Sequence, residues 1–220
     1  MKPWKILAVA NTPDGGCFEL QQHDDNYVIR AEGYDLMTSY SHGSEEAMML
    51  LACPNPRPNA CILVGGLGMG YTLAATLALL PPNATAIVSE LIPEVVKWNR
   101  DFLGSLAGYP LNDPRTELVV GDVADVIRGS KVRFDAVLLD VDNTPDSLTL
   151  AQNKWLYTAE GLAAIQRVLR PRGSLAIWLV GTDGTFKRRL RKAGFTTSLH
   201  SVRGHNNRGG HYSILIGRRS

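Results

Sequence analysis

The residues of this chain best suited to chemistry gather at the ends of four short apolar runs. The first is Cys61-Ile62-Leu63-Val64-Gly65-Gly66-Leu67-Gly68-Met69-Gly70-Tyr71, which has the order strand, glycine turn, helix. Glycines permit positive φ and let a ligand approach bare backbone. The helix that follows adds the positive end of its dipole. The spacing is GxGxG through Gly66, Gly68 and Gly70, whereas a dinucleotide fingerprint would need glycine where Tyr71 stands. That disfavours a nicotinamide or flavin site, and the lack of a Walker lysine disfavours a P-loop nucleotidase. The second run, 84–89, ends at Glu90, and the third ends at Gly121-Asp122-Val123. A carboxylate at the carboxyl end of a parallel strand can accept both hydroxyls of a ribose. An Asp on the next strand end can accept from an adenine amino group. Each feature also has a plain structural counterpart: a tight strand–helix turn, a solvated strand-end charge, a Gly-Asp turn. Together they predict an adenosine-containing ligand held by Gly65, Gly66, Gly68, Met69, Gly70, Glu90, Leu91, Asp122, Val123 and Asp140.

The fourth run, 134–139, leads into Asp140-Val141-Asp142-Asn143-Thr144-Pro145-Asp146. Carboxylates crowded at one sheet edge raise a pKa or hold a cation, the alternative being a polar turn in solvent. The functional reading of Asp140, Asp142, Asn143 and Asp146 is the substrate wall of the cleft, beside the adenosine site. No metal is expected: Cys17, Cys53 and Cys61 show no CxxC spacing, and His205 and His211 have no metal-ligand pattern.

The elements that must hold these groups follow from the apolar pattern. Runs 60–64, 85–89, 117–120, 134–139 and 174–180 show little polar alternation, as in strands buried on both faces of a parallel sheet. Helices are predicted between them over 71–80, 93–106, 158–169 and 185–193, giving βαβ units. Strands over 196–202 and 212–217 would close the sheet as an antiparallel hairpin. Ahead of this unit, strands are predicted over 5–10, 17–22 and 26–31, then a helix from Ser44-Glu45-Glu46 to Ala52. Pro54, Pro56 and Pro58 stiffen a linker, so the organisation is an N-terminal β-rich region with its first helix over 1–53 and a ligand-binding domain over 54–220.

Composition excludes other classes. Hydrophobic residues at 45% and charged residues at 20% are those of a globular chain, not a disordered one. No apolar run reaches the roughly 20 residues of a membrane span, so no membrane association is expected. The odd cysteine count, 3, fits a reducing, cytoplasmic setting. A net charge of +2 gives no case for nucleic acid. Lys187, Arg188, Arg189, Arg191 and Lys192 read as the solvated face of a helix whose Phe186 and Leu190 face the core.

The ensemble resembles the class I S-adenosylmethionine-dependent methyltransferase superfamily, and more narrowly its spermidine synthase (polyamine aminopropyltransferase) branch. The resemblance rests on the β-rich N-terminal part, the glycine turn, Glu90, Gly121-Asp122, the Asp140 strand end and the Leu169-Arg170-Pro171-Arg172-Gly173 turn. It implies an α/β Rossmann-like fold with a mostly parallel seven-stranded sheet, a C-terminal antiparallel hairpin and a small N-terminal β region. It also implies a homodimer and a small-molecule acceptor. The branch carries Gly-Gly-Gly-Asp-Gly, whose Asp pairs with the terminal amine of the ligand; Gly68 stands there. Its Asp-x-x-Asp after the fourth strand is met by Asp140 but ends on Asn143, with Asp142 adjacent, and of its Tyr-His-Glu segment only His42 matches. Bare backbone at Gly68 would welcome the carboxylate of intact S-adenosylmethionine. The expected function is therefore methyl transfer from S-adenosylmethionine to a small, amine-containing acceptor by direct attack on the sulfonium methyl. The alternative is aminopropyl transfer from decarboxylated S-adenosylmethionine, and the third is a non-catalytic adenosine-ligand-binding module. Either transfer depends on alignment, and the resemblance implies as catalytic residues Asp140 and Asp142, binding the cationic acceptor and taking its proton, Asn143 at the position of the second family Asp, and His42 as a second base candidate.

Overall fold

The computed structural model describes residues 3–12, 15–141, 151–179, 184–205 and 208–220. Two sheets organise them. The first is an antiparallel meander of β1 (Lys5–Asn11), β2 (Cys17–His23), β3 (Asn26–Ala31) and β4 (Tyr34–Thr38). The second is seven-stranded, in the order β10-β11-β9-β8-β5-β6-β7. Its strands are β5 (Cys61–Gly65), β6 (Thr85–Glu90), β7 (Thr116–Val120), β8 (Phe134–Leu139), β9 (Leu169–Leu179), β10 (Phe195–His205) and β11 (Arg208–Arg219). Strands β7, β6, β5, β8 and β9 run parallel, and β11 and β10 close the edge antiparallel. This is the expected α/β Rossmann-like architecture with its C-terminal hairpin and N-terminal β region.

Helices cover both faces. On one, α1 (Gly43–Ala52) and α2 (Tyr71–Leu79) bury Met48, Met49, Leu73 and Leu77 against Ile62, Val64, Val88 and Ile214. On the other, α4 (Val123–Gly129), α5 (Ala159–Val168) and α6 (Gly184–Lys192) bury Ile127, Leu162, Ile165, Phe186 and Leu190 against Leu63, Val137, Leu175 and Leu215. Strands buried on both faces have no polar side, which is why their sequences lack alternation. The expected Phe186/Leu190 stripe is fully buried, while Arg188 and Arg189 stay out of that core.

Several elements differ from expectation. Strand β4 lies outside the predicted strands, and helix α4 follows Gly121-Asp122, which also reads as a plain turn. The helix predicted over 93–106 is broken: α3 (Pro93–Trp98) passes into a π-helical turn, Asn99–Leu103, and a 3-10 turn, Gly104–Ala107. Strand β9 begins at Leu169 rather than 174, and the Pro-Arg-Gly segment is an irregularity inside it, with Arg172 at φ 64° and the register slipping between Phe134/Leu169 and Ala136/Ser174.

The N-terminal sheet is held over the carboxyl ends of the parallel strands. Its Ala10, Leu20 and Ile29 pack against Met69 and Tyr71 after the glycine turn and against Ile92, Val95 and Trp98 of the next βα unit. Strand order reverses between β5 and β8, and a ligand crevice is expected at such a switch point. Among the described residues, no helix is long and apolar enough to cross a membrane.

Candidate active site

A cleft of about 700 Å³, open mouth included, lies at that switch point. Gly66, Gly68, Ser89, Glu90, Leu91, Asp122, Val123 and Asp140 line it from the parallel sheet, and Phe18, Ile29 and Met37 line it from the N-terminal sheet. The glycine turn needs its glycines. Gly66, Gly68 and Gly70 take φ of 88°, 52° and 88°, values that L side chains rarely adopt. At Gly66 a side chain would also run into the Asp140 carbonyl. Asn99 Nδ2, on the π-helical turn, donates to the Gly68 carbonyl at 2.7 Å and to Val95 O at 3.0 Å, which fixes the turn's peptide plane.

Glu90 ends β6 and is buried. Its Oε2 accepts from Leu67 N–H at 2.8 Å and its Oε1 from Ile92 N–H at 2.9 Å. Burial pushes its pKa up, and the N–H groups of Ile92, Leu67, Gly68 and Leu91 draw it back down. The two N–H groups at hydrogen-bond distance, those of Leu67 and Ile92, take one site on each oxygen, so of about four acceptor sites each oxygen keeps a lone pair for a ligand hydroxyl. Asp122 is the N-cap of α4, its Oδ1 accepting from Ala124 N–H at 2.8 Å. Val123, the first residue of that helix, lines the cleft beside it.

On the β8 side of the cleft stands Asp140, just past the strand. Its N–H donates to Gly65 O at 2.9 Å, and its Oδ2 accepts from Thr72 Oγ1, in the first turn of α2, at 2.5 Å. Behind it on α1 sits Glu45, also buried, whose carboxylate accepts from Ser44 Oγ. Burial pushes Asp140 up to about 6. Burial and the charge of Asp140 push Glu45 up to about 7. Two carboxylates that share a dry site resist ionising together, so the pair keeps a proton into the neutral range. Sequence reasoning missed Glu45, because an acid in a first helical turn is the ordinary dipole-favoured choice.

Other expected residues sit around the cleft rather than on its surface. Gly65 lies inside β5, packed on Val123 and Leu139. The Met69 side chain is in the core under the N-terminal sheet, and Gly70 is the N-cap of α2. His42 stacks on Tyr71, with ring centroids 4.0 Å apart, and its Nδ1 is 2.8 Å from Glu46 Oε1. Tyr71, which stands where a dinucleotide fingerprint would have glycine, donates to Ser39 O at 3.2 Å and ties α2 to the N-terminal region. Asp142 and Asn143 lie outside the described residues. Among the described residues no cluster of His, Cys, Asp or Glu is arranged to hold a metal.

This frame and its residues match a known family. Residues 44–178 match the spermine/spermidine synthase domain. The chain belongs to that family. A polyamine aminopropyltransferase of Mycobacterium tuberculosis is 30% identical over 189 residues, covering 81% of this chain and 35% of that protein. The chain thus spans about a third of the length of that relative. A putrescine N-methyltransferase 2 of Nicotiana tabacum is 31% identical over 130 residues, 56% of this chain and 35% of that protein. A crystal structure of spermidine synthase with the transition state analogue AdoDATO superposes with a TM-score of 0.75 at 20% identity, over 98% of this chain and 74% of that one, which supports the fold.

These findings correct the expectation of methyl transfer. The family match and the fuller coverage by aminopropyltransferases favour the alternative. The geometry removes the argument that had favoured methyl transfer. Gly68 was expected to offer bare backbone to a carboxylate, but the Met37 thioether covers it.

Proposed function

We propose that this chain is a transferase that moves an aminopropyl group from decarboxylated S-adenosylmethionine to a polyamine-type amine. The observation that carries this reading is the family match joined to a cleft that presents Glu90, Asp122 and Asp140 at successive strand ends. The cleft suits the nucleoside: a carboxylate for the ribose on β6, the Asp122 carboxylate at the start of α4 for the base, and Asp140 beside the glycine turn. The relatives' names, polyamine aminopropyltransferase and putrescine N-methyltransferase, both support an amine acceptor.

The sulfonium supplies an electrophilic methylene carbon. The acceptor nitrogen forms a bond to that carbon as the carbon–sulfur bond breaks, and the bonding pair stays on sulfur as a neutral thioether. The protein's part is alignment and proton handling. Glu90, pinned by two backbone N–H groups, fixes the sugar. Asp140 attracts the ammonium of the acceptor. Such an amine has a pKa near 10 and must lose a proton to react. Asp140, raised by burial and held by Thr72, accepts that proton better than an ordinary carboxylate would. Glu45 behind it keeps the proton load on the pair. Since the base form is required, turnover rises as pH rises through the Asp140 range, about 6. A homodimer and a cytoplasmic setting are part of the proposal.

Mass spectrometry of the products tests it. Incubation with decarboxylated S-adenosylmethionine and putrescine or spermidine is expected to give the aminopropylated amine and 5′-methylthioadenosine. A methylated amine formed from S-adenosylmethionine, or no transfer to any polyamine, would overturn it.

A further inference from the structure

The N-terminal sheet does more than cover the core. Phe18 of β2, Ile29 of β3 and Met37 of β4 line the cleft opposite the glycine turn. Met37 pairs with Ile29 in the β3/β4 register, so the two side chains share one face of the meander. The Met37 thioether reaches the turn itself: both its Sδ and its Cε occupy the space a side chain at Gly68 would fill. The Gly68 carbonyl on the other side is taken by Asn99, so the peptide cannot turn to offer another surface. The glycine turn is open in sequence but roofed by apolar atoms in the fold.

The order of the strands fixes which part of a ligand meets that roof. With the base against Asp122 and Val123 at β7 and the ribose at Glu90 on β6, the sulfur-linked arm runs on to Gly66, Gly68 and Asp140 at β5 and β8. A plain three-carbon arm fits along an apolar wall and carries its ammonium onward toward the carboxylate side. An arm with an added carboxylate must push that charge into Met37, Ile29 and Phe18. A buried charge without a partner is among the most costly arrangements a site can contain. Exclusion by a misplaced neutral wall is a recognised route to specificity.

We propose that Met37 is the specificity-determining residue of this cleft, a steric and apolar gate that admits the decarboxylated arm of a sulfonium nucleoside and rejects the carboxylate-bearing one. The gate rests on the proposed function, because the arm must lie along the glycine turn. It assigns to the N-terminal sheet a choice between two ligands that share every atom of their nucleoside.

Titration calorimetry with three probes tests the gate: 5′-methylthioadenosine, decarboxylated S-adenosylmethionine and S-adenosylmethionine. The protein as it stands is expected to bind the decarboxylated form at least about tenfold more tightly than the intact form. Met37→Ala, and independently Met37→Val in case the first variant does not fold, should narrow that gap to about threefold or less by tightening the intact form. Met37→Leu, close in volume, should keep the gap. Binding of 5′-methylthioadenosine, which lacks the arm, should not move in any of them. An unchanged gap in the shortened variants, or no gap in the parent, overturns the gate while leaving the nucleoside site standing. Failure of all three probes to bind the parent overturns the proposed function itself, and the gate with it.

Discussion

Strand β8 carries an aspartate near each end, and the two have opposite surroundings. Asp135, near its start, is tied by cations. Arg57 Nε and Nη2 donate to its two oxygens at 2.6 and 3.1 Å, Arg170 Nε lies 3.5 Å away, and the Cys61 N–H donates at 2.9 Å. Asp140, just past the other end, has no cation partner among the described residues. It has one hydroxyl, from Thr72, and a second carboxylate, Glu45, in its field. The first is a clasp: it neutralises charge, joins the linker before β5 to the parallel sheet and stands away from the cleft. The second is left chemically unfinished, at the carboxyl edge where ligands enter. The same residue type on one strand is structural where its charge is answered and, under the proposed function, reactive where it is not.

That contrast can be broken from either end. Asp140→Asn should have the largest effect, lowering kcat by about 10²–10⁴-fold by removing the proton acceptor. Calorimetry should meanwhile find 5′-methylthioadenosine binding little changed. A kcat near the parent's would place the base elsewhere. Asp135→Ala should do the reverse: turnover per folded molecule is kept, but urea unfolding should find the protein about 1–3 kcal/mol less stable, because two half-exposed arginines and a backbone N–H lose their acceptor. Full stability in Asp135→Ala would remove the clasp from the account. Glu45→Gln should have the smallest effect, visible mainly through pH. Its carboxyl is raised from 4.5 to about 7, so the folded state binds more protons than the unfolded chain between those values. Stability is thus greatest below about 4.5 and is lost as pH rises toward 7 and above. Removing the group should leave the variant more stable than the parent at pH 8, by on the order of 1–2 kcal/mol, with little gain at pH 5. The acidic limb of the kcat/KM profile should stay near pH 6, because Asp140 ionises while Glu45 still holds its proton. Parallel stability curves for the two proteins would dissociate Glu45 from Asp140.

The legible and illegible residues divide along the same line. Glu90, Asp122 and Asp140 were readable because each stands at the end of an apolar run, where an α/β sheet places its ligands. The glycine turn was readable because three alternate glycines between strand and helix have few other uses. Asp122 was only half read, since its N-cap duty to Ala124 depends on a short helix the sequence scarcely signals. Glu45 carried no signal, because its chemistry comes from a residue far along the chain that packing brings close. Met37 carried none either. The expectation drawn from Gly68 alone went wrong because a glycine shows where a side chain is missing, but not what the rest of the fold puts there. Local spacing reports contacts made along the chain, and both of these contacts are made across it.

The central claim is that a sulfonium nucleoside lies across the strand ends from β7 to β8. The most direct measurement is a crystal structure of this chain with decarboxylated S-adenosylmethionine. The account places the adenine at Asp122 and Val123, the ribose hydroxyls on Glu90, and the sulfur between the glycine turn and Asp140, with its arm beside Met37. A structure that shows the compound bound elsewhere, with Glu90 touching only its backbone partners, would contradict it.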